Sequence, residues 1–282
     1  MNHYLFLGTV FFSFVKSLWG QGITLNNNRE RNFVFEVKQI DEFFERFNNE
    51  KNTLFYRYVA TKFPGITIDR ISLVNNLFNK ENKHFDSADV KGFASFVADS
   101  IHPVFLDFAS NEWYAATVCK FKYVGKNTDI TIILKIQQEP NGGMKWMIVS
   151  AFCPLIGPES KPAHLHPARR TIKFLNPMSQ ATDFMNLAEA FEDEADVRDY
   201  LDSSFYQKPR SVAFLKALLR KQLEFSFVKR INYYFLQVDG WIFRVSYYQR
   251  QSSNSGWLIS LLLRASPEDK EKFKNRLWRK SL

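Results

Sequence analysis

The chain has 282 residues, of which 45% are apolar and 29 are Phe, so it carries enough material for sizeable cores and intrinsic disorder is excluded. Its 38 Lys and Arg exceed its 29 Asp and Glu, a formal charge of +9 that suits an acidic partner or a solvated basic surface. The length is that of about two domains.

The N-terminus, "MNHYLFLGTVFFSFVKSLWGQG", holds an apolar run from Tyr4 to Val15, shorter than the roughly 20 residues that cross a bilayer. Gly20 and Gly22 follow at the −3 and −1 spacing of a signal-peptidase site, so residues 1–22 read as a secretory signal and the mature chain would begin at Gln21 or Ile23. An n-region without Lys or Arg leaves a buried helix or an uncleaved anchor as the alternative. The expected location is periplasmic, envelope-associated or secreted.

From Phe33 the period is helical, with Val37, Ile40, Phe43, Phe44 and Phe47 on one face. Further helices are expected at about Thr53–Lys62, over the run Ile68 to Phe78, and from a cap at Ser87 with Val90, Phe93, Phe96 and Val97 inward. After residue 101 the period becomes two. "VFLDFAS", "EWYAATVCKFKYV", "DITIILKIQQE" and "KWMIVSAF" read as strands, separated in part by "GKNT" and "PNGG" turns. Cys119 and Cys153 would sit on the first and third strands of this meander, two spacings apart, too far for a disulfide.

Residues 154–180 hold five prolines and no period, and mark a linker. The order then repeats: a helical stretch "ATDFMNLAEAFEDEADVRDYLDSSF", a helix near Val212–Leu219, and strands "FSFVKRINYYFLQVD", "GWIFRVSYYQRQ" and "GWLISLLLRA". Ser266-Pro267-Glu268 then opens a basic C-terminal helix. The expected fold class is α+β: two tandem domains, 33–153 and 181–282, each with N-terminal helices packed on a curved antiparallel sheet. Chance similarity of two α+β domains is the alternative to a duplication.

Helices followed by a meander whose last strand is led by Trp, "GGMKWMIVSAF" at 142–152 and more weakly "SGWLISLLLRA" at 255–265, resemble the nuclear-transport-factor-2-like superfamily. The resemblance implies a cone enclosing a pocket, used by some members for isomerase, dehydratase or cyclase chemistry and by many for binding or dimerisation. In the enzymes, pocket Asp, His and Tyr side chains do the work. The corresponding residue types here are His102, Asp107 and Tyr114, in "DSIHPVFLDFASNEWY". Asp107 among Phe105, Leu106 and Phe108 would be a desolvated base, or else a turn cap on the solvent side. In the second half Tyr233, Tyr234, Tyr247 and Tyr248 either line a pocket mouth or pack across strands.

His164 and His166 form a two-ligand pair without a third, too few for zinc. No phosphate loop, Cys-x-x-Cys, Gly-x-Ser-x-Gly or His-Glu-x-x-His sequence occurs, so no cofactor or metal is expected. Basic residues gather at Lys161, Arg169, Arg170 and Lys173, and again from Lys270 to Lys280. The tail pairs its charge with an apolar stripe of Phe273, Leu277 and Trp278, which suits either an anionic membrane surface or docking on its own domain. Export would remove nucleic acid as a partner. The sequence therefore points to an exported binding or interaction protein holding a small apolar ligand or a protein partner; the alternative is a pocket enzyme with Asp107 or His102 as acid/base.

Overall fold

The computed structural model describes residues 36–65, 67–158, 175, 185–192, 196–250 and 254–279. Residues 1–22, expected to be a signal, most of the linker and the pair His164 and His166 lie outside the described residues. The architecture is α+β. Helices α1 (Ile40–Asn48), α2 (Leu54–Lys62), α3 (Arg70–Asn76) and α4 (Ser87–Val97) precede strands β1 (Trp113–Tyr123), β2 (Lys126–Gln138) and β3 (Met144–Phe152). Helices α5 (Met185–Glu192) and α6 (Pro209–Leu219) precede β4 (Leu223–Phe235), β5 (Trp241–Tyr248) and β6 (Gly256–Arg264), and α7 (Pro267–Arg279) follows.

Local chemistry explains these boundaries. Thr53, Asp69 and Asp86 accept first-turn amides, so α4 is capped by Asp86 and not by Ser87. Ser266 and Asp269 bond reciprocally at the start of α7, with Pro267 as its first residue. The β1–β2 hairpin turns on Val124 and Gly125, at φ of 48° and 77°, so only the first residue of "GKNT" is in the turn and Lys126 to Thr128 belong to the strand. The long helical stretch expected after residue 181 breaks instead: α5 ends at Glu192, and two 3-10 turns, Val197–Tyr200 and Ser203–Gln207, follow.

Residues 104–110 were expected as a strand and form none. Their backbone pairs with side-chain amides. Asn48 accepts from the Leu106 N–H and donates to its carbonyl, and Gln237 does the same for Asp107. Each amide presents the donor and acceptor that a neighbouring strand would offer, so the demand for pairing is met without one.

The two meanders do not keep separate sheets. β1 pairs antiparallel with β4 along its whole length, giving one six-stranded sheet in the order β3-β2-β1-β4-β5-β6. The helices are exchanged across that junction. From the first half, Phe47 stacks on Phe243 at 6.0 Å and Phe93 meets Trp241 at 5.5 Å, both partners in β5. From the second half, Phe191 and Phe214 meet Phe121 of β1 at 5.5 and 5.8 Å. Each half's helices thus cover chiefly the other half's strands.

The sheet edges show the same exchange. On β6, the Trp257 amide donates to Val37 O and the Ile259 amide to Leu77 O, both at 2.8 Å. On β3, the Trp146 amide donates to Leu175 O at 2.9 Å, and Ile148 O accepts from the Asp202 amide at 2.9 Å. The two Trp-led strands are therefore equivalent outer edges, each closed by chain from outside its own half: Val37 and Leu77 on β6, Leu175 of the linker and Asp202 on β3. Between them the inner face is packed with rings: Trp113–Trp146 at 4.9 Å, Tyr233–Trp257 at 4.9 Å and Phe235–Phe243 at 4.8 Å. On the opposite face α7 buries Phe273 and Leu277 over Tyr114, Ile133, Val149 and Tyr234. Lys270 Nζ anchors this helix by donating to Leu236 O and Val238 O.

Candidate functional site

The residues singled out from sequence scatter. His102 and Asp107 are both exposed on the loop after α4, so of the two settings open to Asp107 the structure has the solvent-side one and not the desolvated base. Its carboxylate accepts the Ala109 N–H at 2.9 Å, which makes it a turn cap in water. Tyr114 is on the other face, buried beneath α7, where burial, then the charges of Glu112 and Glu271, push its hydroxyl pKa up. Tyr233 is enclosed by Trp113, Trp146 and Trp257, and burial raises its pKa strongly. Tyr234, the next residue in the strand, points the opposite way and packs on Phe273 at 5.5 Å. Tyr247 remains 37% exposed, with its ring against Trp257, and Tyr248 lies beneath Arg250. These tyrosines alternate between faces and do not line one mouth.

Cys119 and Cys153 are free and buried, on β1 and just past the end of β3. Among the described residues no cluster of three His, Cys, Asp or Glu could hold a metal ion, and no helix is long and apolar enough to cross a membrane.

The structure brings together a different set. An open cleft of about 560 Å³ lies between the end of β3, the second 3-10 turn, the start of α6 and the last turns of α7. Pro209 opens α6, and Lys208 before it turns its side chain back toward β3. Lys208 Nζ donates to Val149 O and Ser204 O, each at 2.8 Å, and lies 3.1 Å from Ser204 Oγ. Ser211 Oγ accepts the Ala151 amide at 3.1 Å and lies 3.3 Å from Ser150 Oγ, which donates to Trp278 O at 2.7 Å. Part of this chemistry is structural: Lys208 and Ser211 satisfy the outer edge of β3 where no backbone segment does.

The electrostatics are one-sided. Burial lowers the Lys208 pKa to about 8; the nearby Asp202 carboxylate opposes the shift and Lys135 adds to it. Burial would raise the Asp202 carboxyl, but hydrogen bonds from Lys135 Nζ and Ser204 hold it below the usual range; the Lys135 ion pair spans 2.8 Å. Among the cleft's lining residues Lys208 and Arg210 are the charged ones, with no Asp or Glu. The Arg210 guanidinium stacks over Phe152 at 4.9 Å. The Trp278 indole faces Lys208 Nζ at 4.8 Å, and its buried Nε1–H has no hydrogen-bond partner among the described residues. A second groove, of about 640 Å³ between α1 and α2, has four acidic and four basic residues in its walls, and its charges cancel.

Sequence reasoning read Trp278 only as part of the tail stripe and passed over "KPRS" at 208–211, a basic pair around a helix-opening proline. That tetrapeptide was the available signal.

The shifted lysine has a measurable consequence. Between about pH 8 and the roughly 10.4 of a free lysine, the unfolded chain holds a proton that the folded chain has released. Lys208 therefore makes stability rise with pH across that window, and Lys208→Met should flatten the rise. Urea-unfolding free energies at pH 7.5 and 9.5 test this: an equal rise in both proteins would reject the assignment.

No family model matches the sequence, and no curated protein or solved structure matches it either.

Proposed function

We propose that this is an exported, non-enzymatic binding protein that holds its ligand in the open cleft beside Lys208 and leaves it unchanged. The observation that carries this reading is the contrast between the two faces of β3. The inner face, where a cone-type pocket would lie, is filled by the Trp113, Trp146 and Tyr233 rings. The cleft at its outer end is open and presents hydroxyl, amide and cationic groups beside apolar walls. Reading each half as a nuclear-transport-factor-2-like unit belongs to the same proposal and rests on the shared order of helices and Trp-led meander.

An acid/base role for Asp107 or His102 finds no support in their exposed positions. A serine beside a lysine of lowered pKa is the composition of a nucleophile pair. Here the Ser204 and Lys208 contact also clamps a 3-10 turn, since the same Nζ holds the Ser204 carbonyl. Membrane attachment through α7 would have to rely on charge and the part-exposed Trp278, because Phe273 and Leu277 are buried on the sheet.

A thermal-shift screen of small metabolites, read together with labelling by a fluorophosphonate probe, tests the proposal. Stabilisation by a compound whose shift is lost in Arg210→Ala, without covalent labelling, is expected. Labelling of Ser204 that disappears in Lys208→Met would replace the binding reading with a hydrolytic one.

A further inference from the structure

Resting on the binding reading of this cleft, we infer that its ligand is a small organic anion: a carboxylate or phosphate ester joined to a flat or short apolar body. Three independent features of the cleft define this class. Its walls carry Lys208 and Arg210 with no acidic residue among them, whereas two other grooves of comparable size among the described residues include carboxylates. Asp202 acts on Lys208 from outside the walls but is itself paired with Lys135, so an anion entering the cleft meets net positive charge within partly apolar walls, where electrostatic attraction is stronger than in water.

The donors are also unequal in their commitments. Lys208 is held by Val149 and Ser204, so it contributes its field more than a free N–H. Arg210 is different: it is exposed, lines the cleft and rests its guanidinium on the Phe152 ring, so its N–H groups are accessible to water and to a ligand. No side chain caps the first turn of α6, which adds its amides to the same end. Trp278 Nε1 is a buried donor without an acceptor among the described residues, a costly arrangement that a ligand oxygen would relieve once the indole shifts toward it.

The remaining walls give the ligand its second half. Phe152, Pro158, Pro209 and Trp278 offer ring faces and edges rather than further hydrogen bonds. An inorganic ion would leave these surfaces bare, and about 560 Å³ exceeds what one requires.

Calorimetry at low salt with benzoate and hexanoate, their neutral counterparts benzyl alcohol and hexanol, and inorganic phosphate tests the inference. Trp indole N–H resonances are recorded in parallel, with Trp278→Phe to assign the signal. The acids should bind at least tenfold more tightly than the alcohols and should move the Trp278 indole resonance. Arg210→Gln, at an exposed site that leaves the fold intact, should weaken them by roughly tenfold or more.

Alcohols binding the cleft as well as acids would overturn the anionic class while leaving the binding reading in place. Phosphate binding as tightly as the organic acids would overturn the apolar half. Acids that bind without moving the Trp278 resonance, or with equal affinity in Arg210→Gln, would remove the site from this cleft. Failure of every probe to bind would overturn the inference, and the metabolite screen then decides the binding reading separately.

Discussion

Gly256→Ala should lower the melting temperature by about 10 °C, while Gly142→Ala should lower it by only a few degrees. Both glycines have positive φ, 87° and 82°, so each substitution strains the backbone by ~1–3 kcal/mol. Only Gly256 has a neighbour in the way. A Cβ built there would clash with the Val37 backbone, which closes the β6 edge through Val37 N–H to Ser255 O and Trp257 N–H to Val37 O. Nothing lies within 4 Å of the same atom at Gly142. Losing the two bridging hydrogen bonds adds ~0.5–1.5 kcal/mol each. For a chain of this size ~1 kcal/mol is roughly 2–4 °C. Equal melting temperatures for the two variants would show that the Val37 clasp contributes nothing.

The second large effect is expected from dividing the chain. Residues 1–158 and 159–282, produced separately, should each lack a cooperative unfolding transition, and producing them together should restore one. Apart, α1 and α4 lose Phe243 and Trp241, and Phe121 loses Phe191 and Phe214. The eleven paired positions between β1 and β4 open as well, exposing the edge of each three-stranded remnant. Differential scanning calorimetry and near-ultraviolet circular dichroism of each piece decide the matter. A half that unfolds cooperatively alone would establish the two independent domains suggested by the sequence order.

The contrast between those readings shows what a sequence displays. Elements governed by neighbours were legible: the helical stretch from about Thr53 to Lys62, Ser266-Pro267 before another helix, and the glycine turn ahead of Trp146. The echo of Trp146 in Trp257 was also legible, and the structure explains it as two equivalent strand edges. What failed depended on residues far away. Residues 104–110 have the composition of a strand, but their partners are the amides of Asn48 and Gln237. Pairing of β1 with β4 leaves no local mark, since each strand alternates in the same way whichever neighbour it has. The candidate site was hidden for the same reason. Ser150, Lys208 and Trp278 come from three elements, and only the fold shows that they share a cleft. For Asp107 the sequence left both a buried base and a turn cap open; the cap forms, and Phe105 beside it is 55% exposed.

The exchange of helices also constrains the order of events during synthesis. Phe93 leaves the ribosome well before its partners Trp241 and Phe243, and the Val37 clasp waits for Gly256. At ~5–20 residues per second that interval lasts roughly ten seconds or more, during which the first half exists as a nascent chain without its cover. Contacts so distant in sequence make folding slow once the chain is complete. For a protein proposed to cross a membrane before folding, such delay is an advantage: the nascent chain stays threadable until its last strand arrives.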